Sequence, residues 1–143
     1  MANIDTISRA RELVALTEAT FVRPRTWTRR ARARTASRRV VMPCDARARQ
    51  WDMVGALDRA RALLTDRDVM FMHSAAGDIL RAWYDAYDHA LAVLAQGIPF
   101  PRAPYPVCAV TEYNDRARSK RAVLKLLRHA IAELDARLAQ ATS

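Results

Sequence analysis

The chain has 143 residues and a net charge of +9, from 24 basic and 15 acidic side chains. That length suits one domain with a real core, and 51% apolar residues with only three glycines argue for packed helices against disorder. No apolar run approaches the ~20 residues that span a bilayer, and the opening MANIDTISRARELV lacks a secretory pattern, so a cytoplasmic protein with no membrane partner is expected.

The excess charge is concentrated. From Arg23 to Arg49 there are ten arginines and one acid, Asp45, so this stretch carries the whole +9 while the remaining residues balance. GC-rich coding explains arginine over lysine, but not why acids avoid residues 20 to 44. A concentrated basic field attracts polyanions and releases their counterions.

In chain order, a first helix is expected from Asn3 or Asp5 to Ala19, capped by one of those two, with Ile4, Ile7, Leu13, Val14 and Phe21 inward. Pro24 stops its continuation. Residues 27 to 42 admit a helix, but arginines would then surround the cylinder. A hairpin turning at Thr35 to Arg38 sorts them better. It places Arg30, Arg32, Arg34, Arg39 and Val41 on one face, and Trp27, Ala31, Ala33, Val40 and Met42 on the other. Because Ala-Ser makes a poor two-residue turn, a four-residue loop is expected.

Asp45 reads as the N-cap of a second helix running to about Leu64, with Trp51, Val54, Leu57, Ala60 and Leu64 buried. Gly55 inside it costs about 1 kcal/mol against alanine, which points to a neighbour in close approach. TDRD at 65 to 68 reads as a charged break. Leu80, Trp83, Tyr87, Ala90, Leu91 and Leu94 mark a third helix from Asp78, with Gly97 as its C′ residue. The Pro-rich connection 98 to 106 is expected to run extended over the surface, with Phe100 and Tyr105 packed on the body. The last helix starts after Ser119, burying Val123, Leu127, Ala130, Ile131, Leu134 and Leu138.

Trp51-Asp52-Met53-Val54-Gly55-Ala56-Leu57, together with Tyr113-Asn114-Asp115 ahead of Arg118-Ser119, resembles an uncharacterised bacterial and phage family, a domain of unknown function. Its members carry a WxxxGAL helix and a W-N-D motif before the last helix. The resemblance covers residues 25 to 64 and 107 to 135, and makes the third helix and Pro-rich link look like additions. Tyr113 departs from the family's Trp, and Asp52 stands where members often carry Cys. The resemblance implies a phage or mobile-element origin and no activity.

The candidate chemistry is thin. Asn114 and Asp115 could orient a water, but read more simply as a turn before Ser119. Asp85 and His89, four apart, suit a surface ion pair better than a metal. His73 and His129 are isolated. Cys44 and Cys108 match no zinc spacing and read as free, partly buried thiols. Cys44 would become reactive only if helix N–H groups and Arg47 lowered its pKa. No GxSxG, P-loop, HExxH or dinucleotide fingerprint occurs.

The expected molecule is a mostly α single domain over residues 1 to 143. About four helices would carry a short β-hairpin or irregular basic arm, residues 23 to 49, between the first and second. No catalytic residue, metal or cofactor is expected. The leading expectation is a non-enzymatic nucleic-acid-binding protein, for DNA or RNA. Arg29, Arg30, Arg32, Arg34, Arg38 and Arg39 would hold phosphates, and Trp27 would anchor or stack a base. The alternative is an interaction protein, a host-factor inhibitor or virion component, whose arm docks on an acidic protein surface. An enzyme centred on Asp115 or Cys44 comes third.

Overall fold

The computed structural model describes residues 2 to 72, 76 to 100 and 103 to 143; His73 lies outside them. The described residues form five helices and one small antiparallel sheet. Helix α1, Ile4–Val22, is capped by Asn3, whose side chain accepts from the Thr6 N–H at 2.8 Å. It buries Ile7, Ala10, Leu13, Val14 and Phe21, while Ile4 at its exposed start does not join the stripe. Pro24 follows its C-cap, Arg23.

Strand β1, Ala33–Thr35, sits at the centre of the sheet between β2, Val40–Val41, and β3, Ala48–Trp51. The hairpin forms where the alternation placed it, but its loop is one residue shorter than expected. Thr35 N–H bonds Arg39 C=O at 2.9 Å and Arg38 N–H bonds Thr35 C=O at 2.9 Å, with Arg38 in the left-handed region at φ 68°. A three-residue loop ending on a left-handed residue pairs Arg34 with Val40 and Ala33 with Val41. The expected sorting required Arg34 opposite Arg39. A one-residue slip turns every β2 side chain over, so Val41 joins Ala33 inside and Val40 stands with Arg34 outside.

β3 was not anticipated. The sequence pattern reads these residues as part of a helix capped by Asp45, but Asp45 instead closes a turn: its carboxylate accepts from the Arg47 N–H at 2.8 Å and its carbonyl from the Ala48 N–H at 2.9 Å. Helix α2, Met53–Met72, starts after Asp52, whose Oδ1 accepts from the Gly55 N–H at 2.6 Å. It runs straight through Thr65-Asp66-Arg67-Asp68. Those charges find partners, Arg67 with Glu12 at 2.7 Å and Asp68 with the Trp83 Nε1–H at 2.8 Å, so no break is needed.

Helix α3, Ala76–Gln96, buries Trp83, Ala86, Ala90, Leu91 and Leu94, with Leu80 on its exposed side. Gly97 follows without a left-handed φ. Its role is close approach, because an added Cβ would lie 3.1 Å from both Leu126 and His129. Phe100 stacks on Tyr113 with centroids 5.9 Å apart, whereas Tyr105 is exposed. The fifth helix, unforeseen, is α4, Pro106–Arg116, which uses Pro106 at its first position, where no N–H is required. Asn114 and Asp115 therefore belong to its last turn and not to a loop. Helix α5, Lys120–Thr142, begins after Ser119 as expected and packs on α1 and α3.

Candidate functional site

The basic arm is pinned between α2 and α4. Residues 26 to 28 run beside β3: Trp51 N–H bonds Thr26 C=O at 2.8 Å, and Thr28 N–H bonds Trp51 C=O at 3.0 Å. Asn114, fully buried, holds this crossing from α4. Its Oδ1 accepts from the Trp27 indole N–H at 2.9 Å and from the Met53 N–H at 3.1 Å, while its Nδ2 donates to Thr28 C=O at 3.1 Å. One side chain thus ties the arm, the start of α2 and the end of α4. Asp115 adds a bond from the Arg30 N–H at 2.8 Å.

The other anchor lies just ahead of α2. Asp52 is buried, accepts from the Arg32 guanidinium at 2.7 Å, and its N–H bonds Arg32 C=O at 3.2 Å. Burial pushes the Asp52 carboxyl up, against the opposing pull of the Gly55 N–H and Arg32. Gly55 has the close neighbour its sequence position implied: a Cβ there would lie 1.9 Å from the Arg32 carbonyl oxygen. Trp51 closes β3 and donates its indole N–H to Pro43 C=O at 2.9 Å. Tyr113 lies under Phe100 and donates its hydroxyl to Ala122 C=O at 3.3 Å. The motif residues Trp51, Gly55, Asn114 and Asp115 therefore act as a scaffold for the arm, while Tyr113 ties α4 to Phe100 and to the start of α5.

Two of the ten arm arginines meet carboxylates, Arg32 with Asp52 and Arg47 with Asp45. The Arg47 hydrogen bonds hold the Asp45 carboxyl down to about 2. Among the described residues the other eight form no ion pair. Three of those are oriented by backbone carbonyls: Arg29 by Ala117 at 3.3 Å, Arg34 by Arg38 at 3.1 Å, and Arg49 by Ala46 and Ala48 at 2.9 and 2.8 Å. Arg39, Arg47 and Arg49 converge with Thr35 and Ser37 on an open cleft of about 420 Å³. Arg25, Arg30 and Arg38 have φ of 59°, 61° and 68°, a region that costs a non-glycine residue of order 1 kcal/mol.

Trp27 is half-buried, its N–H is taken by Asn114, and the Arg29 guanidinium lies 5.8 Å from its ring centre. Its geometry is that of an anchor.

The remaining candidates separate. Cys44 and Cys108 are both exposed, not partly buried. Loss of hydration of the Cys44 thiol to its neighbours and the charge of Asp58 push its pKa up against Arg61 and Arg59, the reverse of activation. Asp85 and His89 form no ion pair among the described residues. His89 instead leans into a cavity lined by Ile7 and Arg137, and burial lowers its pKa. His129 is exposed. Among the described residues no three His, Cys, Asp or Glu side chains gather as a metal site, and no helix is long and apolar enough to cross a membrane.

Residues 5–133 match the model of a family of unknown function, DUF6197. The chain belongs to that family. The match reaches beyond the two stretches that carry the motif resemblance and spans the third helix and the Pro-rich link. No curated protein and no solved structure matches the chain.

Proposed function

We propose that this DUF6197 chain is a non-enzymatic nucleic-acid-binding protein that grips the phosphate backbone through its basic arm. The observation that carries the reading is the set of eight arm arginines that, among the described residues, have no carboxylate partner, on a segment braced by Asn114 and Asp52. Unpaired guanidiniums on a fixed scaffold retain their full attraction for phosphate oxygens. Left-handed arginines at positions 25, 30 and 38 support it as well. Glycine would be free of strain there, and arginine adds a charge at the expense of stability.

Arg29, Arg30, Arg34, Arg38 and Arg39 are the phosphate contacts. Arg32 contributes less, because Asp52 already neutralises it. With Trp27 acting as an anchor, recognition runs through the backbone and carries little sequence preference. Such a protein suits the phage or mobile-element origin that the family resemblance implies.

Five neutralised phosphates on duplex DNA give a slope of about −4 to −5 for log K against log salt. Fluorescence anisotropy with a labelled duplex across a salt series measures it, and binding insensitive to salt rejects the mechanism. Adding polyglutamate tests docking on an acidic protein. The phosphate reading predicts competition by nucleic acid far below the polyglutamate concentration needed.

A further inference from the structure

The sequence arithmetic made everything outside the arm electrically neutral, but the fold does not distribute those charges evenly. Arg116, Arg118, Lys120, Arg121, Lys125 and Arg128 all fall at the α4–α5 corner and along the first half of α5. Arg116 pairs with Glu112 and Arg128 with Glu18. Among the described residues Arg118, Lys120, Arg121 and Lys125 form no ion pair.

The first half of the arm is packed on this same corner. Lys120 Nζ donates to Arg23 C=O at 3.2 Å, Arg29 to Ala117 C=O at 3.3 Å, and the Arg30 N–H to Asp115 at 2.8 Å. Arg23, Arg29 and Arg30 therefore lie against Asp115, Ala117 and Lys120, the segment that carries Arg118 and Arg121, although about 90 residues of chain separate the two sets. Beside them lies an open cleft of about 630 Å³ lined by Ser119, Arg121, Ala122, Lys125 and Arg128, with no acid in its lining.

Arg121, Lys125 and Arg128 follow one another at spacings of four and three, which aligns them on one face of α5. At 1.5 Å per residue this stripe is about 10 Å long.

We infer that the α4–α5 corner is a second phosphate-binding surface, continuous with the arm, and that a nucleic-acid backbone lies across both. The inference rests on the reading of the arm as a phosphate contact. It assigns Arg118, Arg121 and Lys125 to binding, and places the ligand on the side of the molecule where α1 ends and α5 begins.

The test is the salt slope of duplex DNA binding for four proteins. They are the unaltered chain, a corner variant (Arg118→Gln, Arg121→Gln, Lys125→Gln), an arm variant (Arg34→Gln, Arg38→Gln, Arg39→Gln) and a control, Arg81→Gln, on the exposed side of α3. Each lost cation–phosphate contact flattens the slope by about one. The corner variant is therefore expected to flatten it by about 2 to 3 with an unchanged melting temperature, and the control to leave it alone. A corner variant with the original slope, beside an arm variant whose slope falls, overturns the corner and leaves the arm standing. A control that flattens the slope as much per charge overturns the corner too, by reducing the effect to net charge. An unaltered chain that does not bind the duplex overturns both.

Discussion

Replacing Asn114 by alanine is expected to destabilise the protein by about 4 kcal/mol, the largest single loss in the molecule outside its apolar core. The amide leaves three groups without partners: the Trp27 indole N–H, the Met53 N–H and the Thr28 carbonyl. Asn114 is fully buried, so water cannot replace it without the structure opening. An orphaned buried polar group costs about 1 to 3 kcal/mol, and the vacated volume adds a smaller amount. Urea denaturation gives the value directly from the midpoint and slope. Asp115→Ala is the comparison, since it removes the acceptor of the Arg30 N–H and a long 3.5 Å contact from Asn114 Nδ2 and should cost no more than about 1.5 kcal/mol. Equal losses at the two positions would contradict the role given to Asn114.

Gly55→Ala is the second. In an ordinary helix interior this change is favourable by about 1 kcal/mol, so its sign is diagnostic. Here the new methyl would sit 1.9 Å from the Arg32 carbonyl oxygen and 3.0 Å from Asp52 Oδ1. The nearest obstacle is backbone, so no rotamer change relieves it. Either α2 withdraws or the arm lifts away, breaking the Asp52 N–H bond to Arg32 C=O. A loss of about 3 kcal/mol is expected, at the upper end of what overpacking costs. Salt-dependent binding should weaken with it, because the arm is no longer braced. A stabilised Gly55→Ala protein would show that arm and helix do not touch.

Both effects concern contacts of different legibility. Gly55 could be read from the sequence as a place of close approach, because a glycine inside a helix otherwise loses stability for nothing. The hairpin was legible through the alternation of arginine with apolar residues. Its register was not, since that depends on Arg38 adopting a left-handed φ that its residue type disfavours. Helix α4 was hidden by its own start: four prolines from 99 to 106 read as an extended linker, yet the last of them is an acceptable first helical residue. The charged run at 65 to 68 looked like a break because its partners, Glu12 and Trp83, are distant in sequence.

The same remoteness concealed the scaffold. Trp27 and Asn114 are 87 residues apart, and Arg32 and Asp52 are 20 apart. Local pattern cannot show that Asn114 bonds to an indole, so its position before Ser119 suggested a turn. The basic corner was concealed differently. Summed with the acids of α2 and α3, its cations vanish into a neutral total, and only the packing of α5 against the end of α1 separates them.

An arginine-selective dicarbonyl reagent, read by peptide mass spectrometry with and without duplex DNA, locates the cationic grip most directly. Protection by DNA is expected at Arg29, Arg30, Arg34, Arg38 and Arg39, with Arg81 modified equally in both conditions. Reactivity at those five positions that DNA leaves unchanged, or protection spread evenly over every arginine including Arg81, would contradict it.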